Sequence, residues 1–385
     1  MRRKRFLTTA LAGGAAAWLK APSRALAQTF AQQVTIGINV PLSGDLADEG
    51  NQIVDGVRAA VNETNQTLGV LSLGFALRTF DDNDALAQQI ENVQFASADG
   101  SIVALIGGFD GKLTTAALST YASVQMPLLV SASTTDSLTA NGYRNIWRLP
   151  TKDSTEGQLF ARFLARRAKP KFALAVTQDG DYGADVASGF VNQSAALRMD
   201  ADAYVFSSQK PDYAAAATAI LAKKPDYIYL CGETRALAPL TAALKAGGYN
   251  GRFGASEGFF NQLTLDKYKD ALADALISTS FPPLERAPDV ANVLSDFRSR
   301  ARLTALSVFS YAAAQIVISA VRRAGATNRL ALLSALQSPN NYDTVAGSFT
   351  FGPSGDPIDP NVYFYSVTDG AFKYVAPAHP TAFIL

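Results

Sequence analysis

The sequence of 385 residues contains one cysteine and one histidine. Cys231 alone closes no intrachain disulfide, whatever the compartment. It ends the run Tyr227-Ile228-Tyr229-Leu230, so a buried, inert thiol is expected. His379 alone is too little for a zinc site. The same shortage weighs on Gly254-Ala255-Ser256-Glu257-Gly258, which spells the G-x-S-x-G of a hydrolase nucleophile elbow. A triad needs a histidine, and His379 lies between Ala378 and Pro380 near the chain end. A serine hydrolase acting through Ser256 is therefore the remote alternative.

Nucleotide signatures are also missing. There is no G-x-G-x-x-G, and Gly107 to Lys112 is one residue short of a phosphate loop, with Leu113 in place of Ser/Thr. Asp81, Asp82 and Asp84 lack the glycine and glutamate of a calcium loop, so they read as a solvated turn. No metal and no cofactor is predicted. The chain also lacks low-complexity segments and short repeats.

An excess of positive charge is absent too. The whole chain carries a formal +1. Six of its basic residues (Arg2, Arg3, Lys4, Arg5, Lys20, Arg24) lie in the first 27, which hold no acid. The remaining 358 residues set 28 basic against 33 acidic side chains, a net −5. Nucleic acid and anionic membrane are poor partners for such a chain.

Those first residues read as an export signal. A basic start, a short apolar stretch over 10–19 and Ala25-Leu26-Ala27 predict cleavage before Gln28. Arg2-Arg3 ahead of Phe6-Leu7 is similar to a twin-arginine signal, with the spacing one residue off. An ordinary secretory signal fits as well. The stretch is too short to span a bilayer, and no cysteine is available near the cleavage site for a lipid anchor. A soluble periplasmic protein is expected.

After the signal, Val34, Ile36, Ile38 and Val40 alternate as in a strand. Pro41-Leu42-Ser43-Gly44 breaks the pattern, and Ile53, Val54, Val57, Ala60 and Val61 follow at helical spacing. A hydroxyl-bearing loop at the carboxyl end of a strand is where open α/β sheets bind ligands. Strand and helix patterns alternate from there on, which predicts α/β architecture with doubly wound, mainly parallel sheets. Two sheets suit the length better than one. Residues 145–150 and 275–281 read as segments leaving one sheet for the other. Helices are predicted over 290–302, 308–323 and 330–336, and strands over 345–351 and 362–367, with an edge strand at 372–375.

The ordered motifs resemble a known family. IGINVPLSGDLADEG from Ile36, Phe80-Asp-Asp-Asn-Asp84, IVALIGG from Ile102, PLLVSASTTDSLT from Pro127, DGDYGAD at 179–185 and FGASEGFFN at 253–261 are similar to the periplasmic solute-binding proteins of ABC importers, in the leucine/isoleucine/valine-binding group. The resemblance covers nearly all of the chain after the signal. It implies two doubly wound lobes joined by three hinge crossings, with ligand in the cleft between them. The lobes would comprise 28–150 with 280–355, and 151–279 with 356–385. The third crossing would fall near 353–360. The resemblance further implies a monomer that is no enzyme and that hands a small solute to an inner-membrane ABC permease complex, closure around ligand shifting a population.

It also assigns candidate binding residues. Thr134, with Ser133 next, matches the hydroxyl loop that grips a ligand carboxylate, and Glu257 matches the acid facing an ammonium, both through charge-assisted hydrogen bonds. Ser43 lies in the first ligand loop, and Tyr182 matches a cleft tyrosine. Three positions depart from the family. Lys112 stands where a carboxylate-binding serine is usual, Glu49 where an aromatic residue covers the ligand side chain, and Glu233 where an aromatic cleft residue is common. These departures point to a small polar solute, amino acid or amino-acid-like, other than leucine itself. Aromatic or aliphatic carboxylates, amides or urea are the alternative ligands.

Overall fold

The structure, a computed structural model, describes residues 32–67, 73–180, 182–270, 272–283 and 304–378. The first part of the chain runs β1 (Gln32–Val40), α1 (Ala47–Thr67), β2 (Leu73–Asp81), α2 (Leu86–Ala98), β3 (Ile102–Gly107), α3 (Gly111–Ser123), β4 (Leu128–Val130), α4 (Ser137–Ala140) and β5 (Ile146–Arg148). Its five strands form one parallel sheet in the order β2-β1-β3-β4-β5. The second part runs α5 (Asp153–Arg167), β6 (Ala173–Gln178), α6 (Ala184–Ala196), β7 (Ala201–Phe206), α7 (Tyr213–Ala222), β8 (Tyr227–Cys231), α8 (Thr234–Ala246), β9 (Arg252–Ala255), α9 (Gln262–Tyr268) and β10 (Leu276–Thr279). The last part holds α10 (Ala305–Ala324), α11 (Arg329–Gln337), the hairpin β11 (Asn341–Thr344) and β12 (Gly347–Thr350), then β13 (Val362–Thr368) and β14 (Ala371–Ala378). The second sheet orders its strands β14-β13-β10-β9-β8-β6-β7, parallel from β7 to β10 and antiparallel across β13 and β14.

β1 shows how the sequence sets its place. Its alternating Val34, Ile36, Ile38 and Val40 are wholly buried under α1 and α10. Alternation normally marks a strand with one wet face. Here the other face is buried too, with Gly37 and Asn39 on it. A Cβ on Gly37 would come 2.3 Å from Leu105 Cδ2. The Asn39 amide donates to Gln89 O (3.4 Å) and Tyr121 Oη (3.3 Å) and accepts from Asn92 Nδ2 (2.9 Å). Those bonds offset the desolvation of a buried amide.

α10 is long and apolar enough to cross a membrane by composition, yet it is a core helix, with 72% of its most apolar window buried. It lies so close to α1 that a Cβ on Gly56 would sit 2.1 Å from Ser307 O. In the second lobe, Phe160 stacks on Tyr229 with ring centres 3.8 Å apart, and Phe190 and Phe364 close round them. Such aromatic pairs add about 0.5–1.5 kcal/mol each beyond their area.

The chain passes between the two sheets three times: after β5, after β10, and between β12 and β13. The first and third passages are tied where Thr151 Oγ1 donates to Asn361 O at 2.7 Å. Leu149, Ser280 and Pro360 line the same small cavity, so all three run side by side.

One expected element takes a different form. The strand expected over 345–351 is a hairpin: Val345 and Ala346 form its turn, buried against the core, with Val345 N donating to Gln315 Oε1 at 2.9 Å. The strand β9 was not foreseen. The helix expected over 290–302 and the terminus carrying His379 lie outside the described residues.

Candidate functional site

The loops at the carboxyl ends of both parallel sheets carry the candidate residues, as open α/β sheets favour. On the first sheet, Ser43 is exposed after β1 and its hydroxyl donates to Asn83 Oδ1 at 2.9 Å. Glu49 is half-buried in the first turn of α1. The turn after β2 is not fully solvated, contrary to expectation. Asp82 is buried, and desolvation, with Asp84, Asp81 and Asp110 adding repulsion, pushes its pKa up to about 6.

Lys112 is exposed at the second position of α3, just after the Asp110 cap that accepts from Leu113 N at 2.7 Å. A Cβ on the preceding Gly111 would meet Ser133 Oγ at 2.4 Å and Thr135 Cγ2 at 2.5 Å. The α3 loop therefore rests directly on the hydroxyl loop after β4. In that loop Ser133 is buried, its N–H donating to Gly108 O at 3.0 Å. Thr134 is half-buried. The Thr134 carbonyl accepts from Arg148 Nη1 and from Asp153 N, both at 3.0 Å. The second of these bonds joins the two lobes beside their first crossing.

On the second sheet, Tyr182 and Glu257 come together. Tyr182 Oη accepts from Gly258 N at 2.9 Å. Glu257 opens a short 3-10 turn after β9, and its N–H donates to Glu156 Oε1 at 2.9 Å. Glu257 Oε2 accepts from Ser280 N (2.8 Å) and Ser280 Oγ (2.6 Å), on the second crossing. Burial raises its pKa even so, against the donors on Ser280 and Thr279. Behind it, the wholly buried Glu156 accepts from Ser278 Oγ at 2.6 Å. Desolvation first, and then the Glu257 charge, hold the Glu156 carboxyl well above its usual range. The Tyr182 phenol is likewise pushed up by burial and by Glu156, Asp153 and Glu257. Glu233 sits on a segment packed against the Glu257 loop, where Gly232 N donates to Ser256 Oγ at 3.1 Å and Thr234 Oγ1 donates to Gly258 O. It is exposed at the start of α8, its N–H donates to Gln178 Oε1 at 2.9 Å, and its carboxylate faces Arg235 at 3.7 Å.

The structure thus brings Tyr182 and Glu257 into one cluster, and Lys112, Ser133 and Thr134 onto adjoining loops. Among the described residues, no hydrogen bond links Ser43 or Glu49 to either group. Sequence reasoning missed Asp153, Glu156 and Ser280. Acids at 153 and 156 were legible only as favourable charges at a helix start. Ser256 is fully buried and its hydroxyl accepts from Gly232 N at 3.1 Å. That leaves it buttressing the Glu257 loop, not presented at the surface as a nucleophile elbow requires.

Hydroxyls and N–H groups thus stand at the carboxyl edge of one sheet, and a half-buried acid at the carboxyl edge of the other. Residues 33–371 match the family described as periplasmic binding protein. The chain belongs to that family. As a periplasmic binding protein it is 25% identical over 340 residues to the Leu/Ile/Val-binding protein BraC3 of Rhizobium johnstonii, covering 87% of this chain and 91% of that one. It is 23% identical to the Leu/Ile/Val-binding protein homolog 1 of Brucella melitensis biotype 1, with 89% and 93% covered. Among solved structures it superposes on the leucine binding protein LivK of Thermotoga maritima with a TM-score of 0.79 at 20% identity, over 91% of this chain and 99% of that one. A benzoate-bound solute binding protein from R. palustris gives 0.75 at 18% identity, with 90% and 97% covered. The fold of two α/β lobes with parallel sheets is that of these neighbours.

Proposed function

We propose that this periplasmic binding protein is the exported solute receptor of an ABC importer, capturing a small polar amino-acid-like solute between its two lobes. The observation that supports the reading is that the candidate residues stand at the carboxyl ends of both sheets: the Ser133–Thr134 loop and Lys112 on one, Glu257 and Tyr182 on the other. Lys112 and the hydroxyl loop meet the ligand carboxylate, and Glu257 meets its ammonium. Ser43, Glu49 and Glu233 complete the polar rim. Hinge motion at the three crossings closes the lobes on the ligand, and an inner-membrane permease recognises the closed monomer in the periplasm. The lobes divide near 150, 279 and 355. The leucine-group names of the curated relatives support the solute class, and the departures at positions 49, 112 and 233 argue against leucine itself.

The test is a thermal-shift screen of protein unfolded, stripped of carried-over ligand and refolded. Amino acids, aromatic acids, amides and urea are the probes. A stabilising ligand at a hundredfold its Kd contributes about 2.7 kcal/mol, a shift that is easily read. No stabilisation by any probe would overturn the reading.

The benzoate-bound neighbour favours a second reading, capture of carboxylates that lack an ammonium group. Glu257→Gln separates the two. A tenfold or greater loss of affinity supports the ammonium role, and an unchanged affinity supports the carboxylate reading.

A further inference from the structure

Asp153 and Glu156 stand three residues apart on the first turn of α5, so both side chains leave the helix on one face. That face meets the carboxyl-edge loops. Asp153 N reaches across to Thr134 O, and Glu156 Oε1 holds the Glu257 loop. Asp153 is 1% exposed, yet neither of its carboxylate oxygens has a hydrogen bond of ordinary geometry. Burial pushes its pKa up to about 7, against the Thr134 side chain, which favours the ionised form. A buried polar group with no partner is costly, and a charged one more so.

The neighbouring charges make the position worse. Asp136 and Asp185 repel the Asp153 carboxylate, and Arg148 is the cation that favours it. Arg148 is already committed to Asp356 and to the carbonyls of Thr134 and Thr135. The Tyr182 phenol is raised by burial and then by the charges of Glu156, Asp153 and Glu257. Burial raises the pKa of all three carboxyls, and a bound cation beside them offsets that penalty on their charged forms.

We propose that Asp153, next to Glu156 and the Thr134 loop, forms a second cation subsite and takes a second ammonium or guanidinium group, so that the ligand is a cationic amino compound: a basic amino acid or a diamine. The inference rests on the receptor reading above and narrows its solute. A site built for two positive groups rejects a single one, because the second carboxylate is left buried without a counter-charge. It also explains why such an acid persists in a position that weakens the empty fold.

Isothermal titration of the refolded protein tests it. The probes are L-arginine, L-lysine and putrescine, with L-leucine and benzoate as the comparison. The expected result is at least tenfold tighter binding of a dicationic probe than of leucine or benzoate. Asp153→Asn should weaken that probe tenfold or more and leave leucine binding no weaker than before. Its melting temperature without ligand should be no lower than that of the parent protein, whereas a purely structural aspartate would lose stability. Tightest binding of leucine or benzoate would overturn the subsite and leave the receptor reading standing. Equal weakening of every probe by Asp153→Asn, or no weakening of any, would also overturn it, the latter assigning only a bound water to Asp153. Binding of no probe here or in the wider screen would sink both readings.

Discussion

The wholly buried Arg148 guanidinium grips the Asp356 carboxylate through Nε at 3.0 Å and Nη2 at 2.5 Å, across 208 residues of sequence. The same side chain donates to the carbonyls of Thr134 (3.0 Å) and Thr135 (2.5 Å) and to Thr139 Oγ1 (2.7 Å). One cation therefore ties the candidate ligand loop to the segment leading into the third crossing. Removing one partner of a buried pair costs about 3–5 kcal/mol, because the other charge is left uncompensated. Asp356 retains 20% side-chain exposure, which places its removal at the lower end of that range. Asp356→Ala should thus lower unfolding stability by about 3 kcal/mol in urea titration. A loss below about 1 kcal/mol would show that Arg148 finds other compensation.

Glu156 gives a pH-dependent prediction. Burial, then Glu257, raise its folded pKa above the ordinary 4.5. The folded protein therefore keeps a proton that the unfolded chain has lost, and this group's contribution falls as pH rises from about 4.5 towards the folded value. Above the folded value the loss is complete. Glu156→Gln cannot ionise, yet it keeps an acceptor oxygen for Ser278 and for the Glu257 N–H. The variant should melt higher than the parent at neutral pH, by roughly 2–4 °C per kcal/mol recovered. The advantage should vanish near pH 4. A variant that melts lower at every pH would mean that the carboxylate is needed for folding.

These two residues mark where the sequence was legible and where it was not. Elements whose signal is local could be read directly: the strand at Gln32–Val40 and the helix at Ala47–Thr67 follow from the spacing of Val34, Ile36, Ile38 and Val40 and of Ile53, Val54, Val57, Ala60 and Val61. β9 carries no such signal, because Arg252-Phe253-Gly254-Ala255 lacks β-branched residues. Its Gly254 is instead fixed by Phe160, whose Cζ would lie 2.3 Å from a Cβ there. The hairpin turn at Val345–Ala346 misled for the opposite reason. Turn residues are usually polar, but these two are apolar and face the core, so they extend the strand pattern of their neighbours. In the site, Ser133, Thr134 and Glu257 sit in recognisable loops. The contact of Glu156 with the Glu257 loop spans 101 residues. Nothing local to Asp153-Ser154-Thr155-Glu156 distinguishes a cleft acid from one that merely favours a helix start.

Gly183 and Gly248 make a matched pair that separates backbone strain from the site. Both have positive φ, +99° and +94°, where a side chain is strained. Around Gly248 a Cβ meets nothing within 4 Å, whereas at Gly183 it would lie 2.3 Å from Cys231 O. Gly248→Ala should therefore cost only the conformational term, on the order of 1 kcal/mol, and leave ligand affinity unchanged. Gly183→Ala must also push the loop away from β8, carrying the adjacent Tyr182 off its bond to Gly258 N. It should lose more stability than Gly248→Ala, up to about 3 kcal/mol, and weaken any ligand found in the refolding screen at least tenfold. Thermal melts and titration calorimetry on the two variants, side by side, check this. Equal affinities in both would remove Tyr182 from the binding edge, and Glu257 would then have to hold the ligand without it.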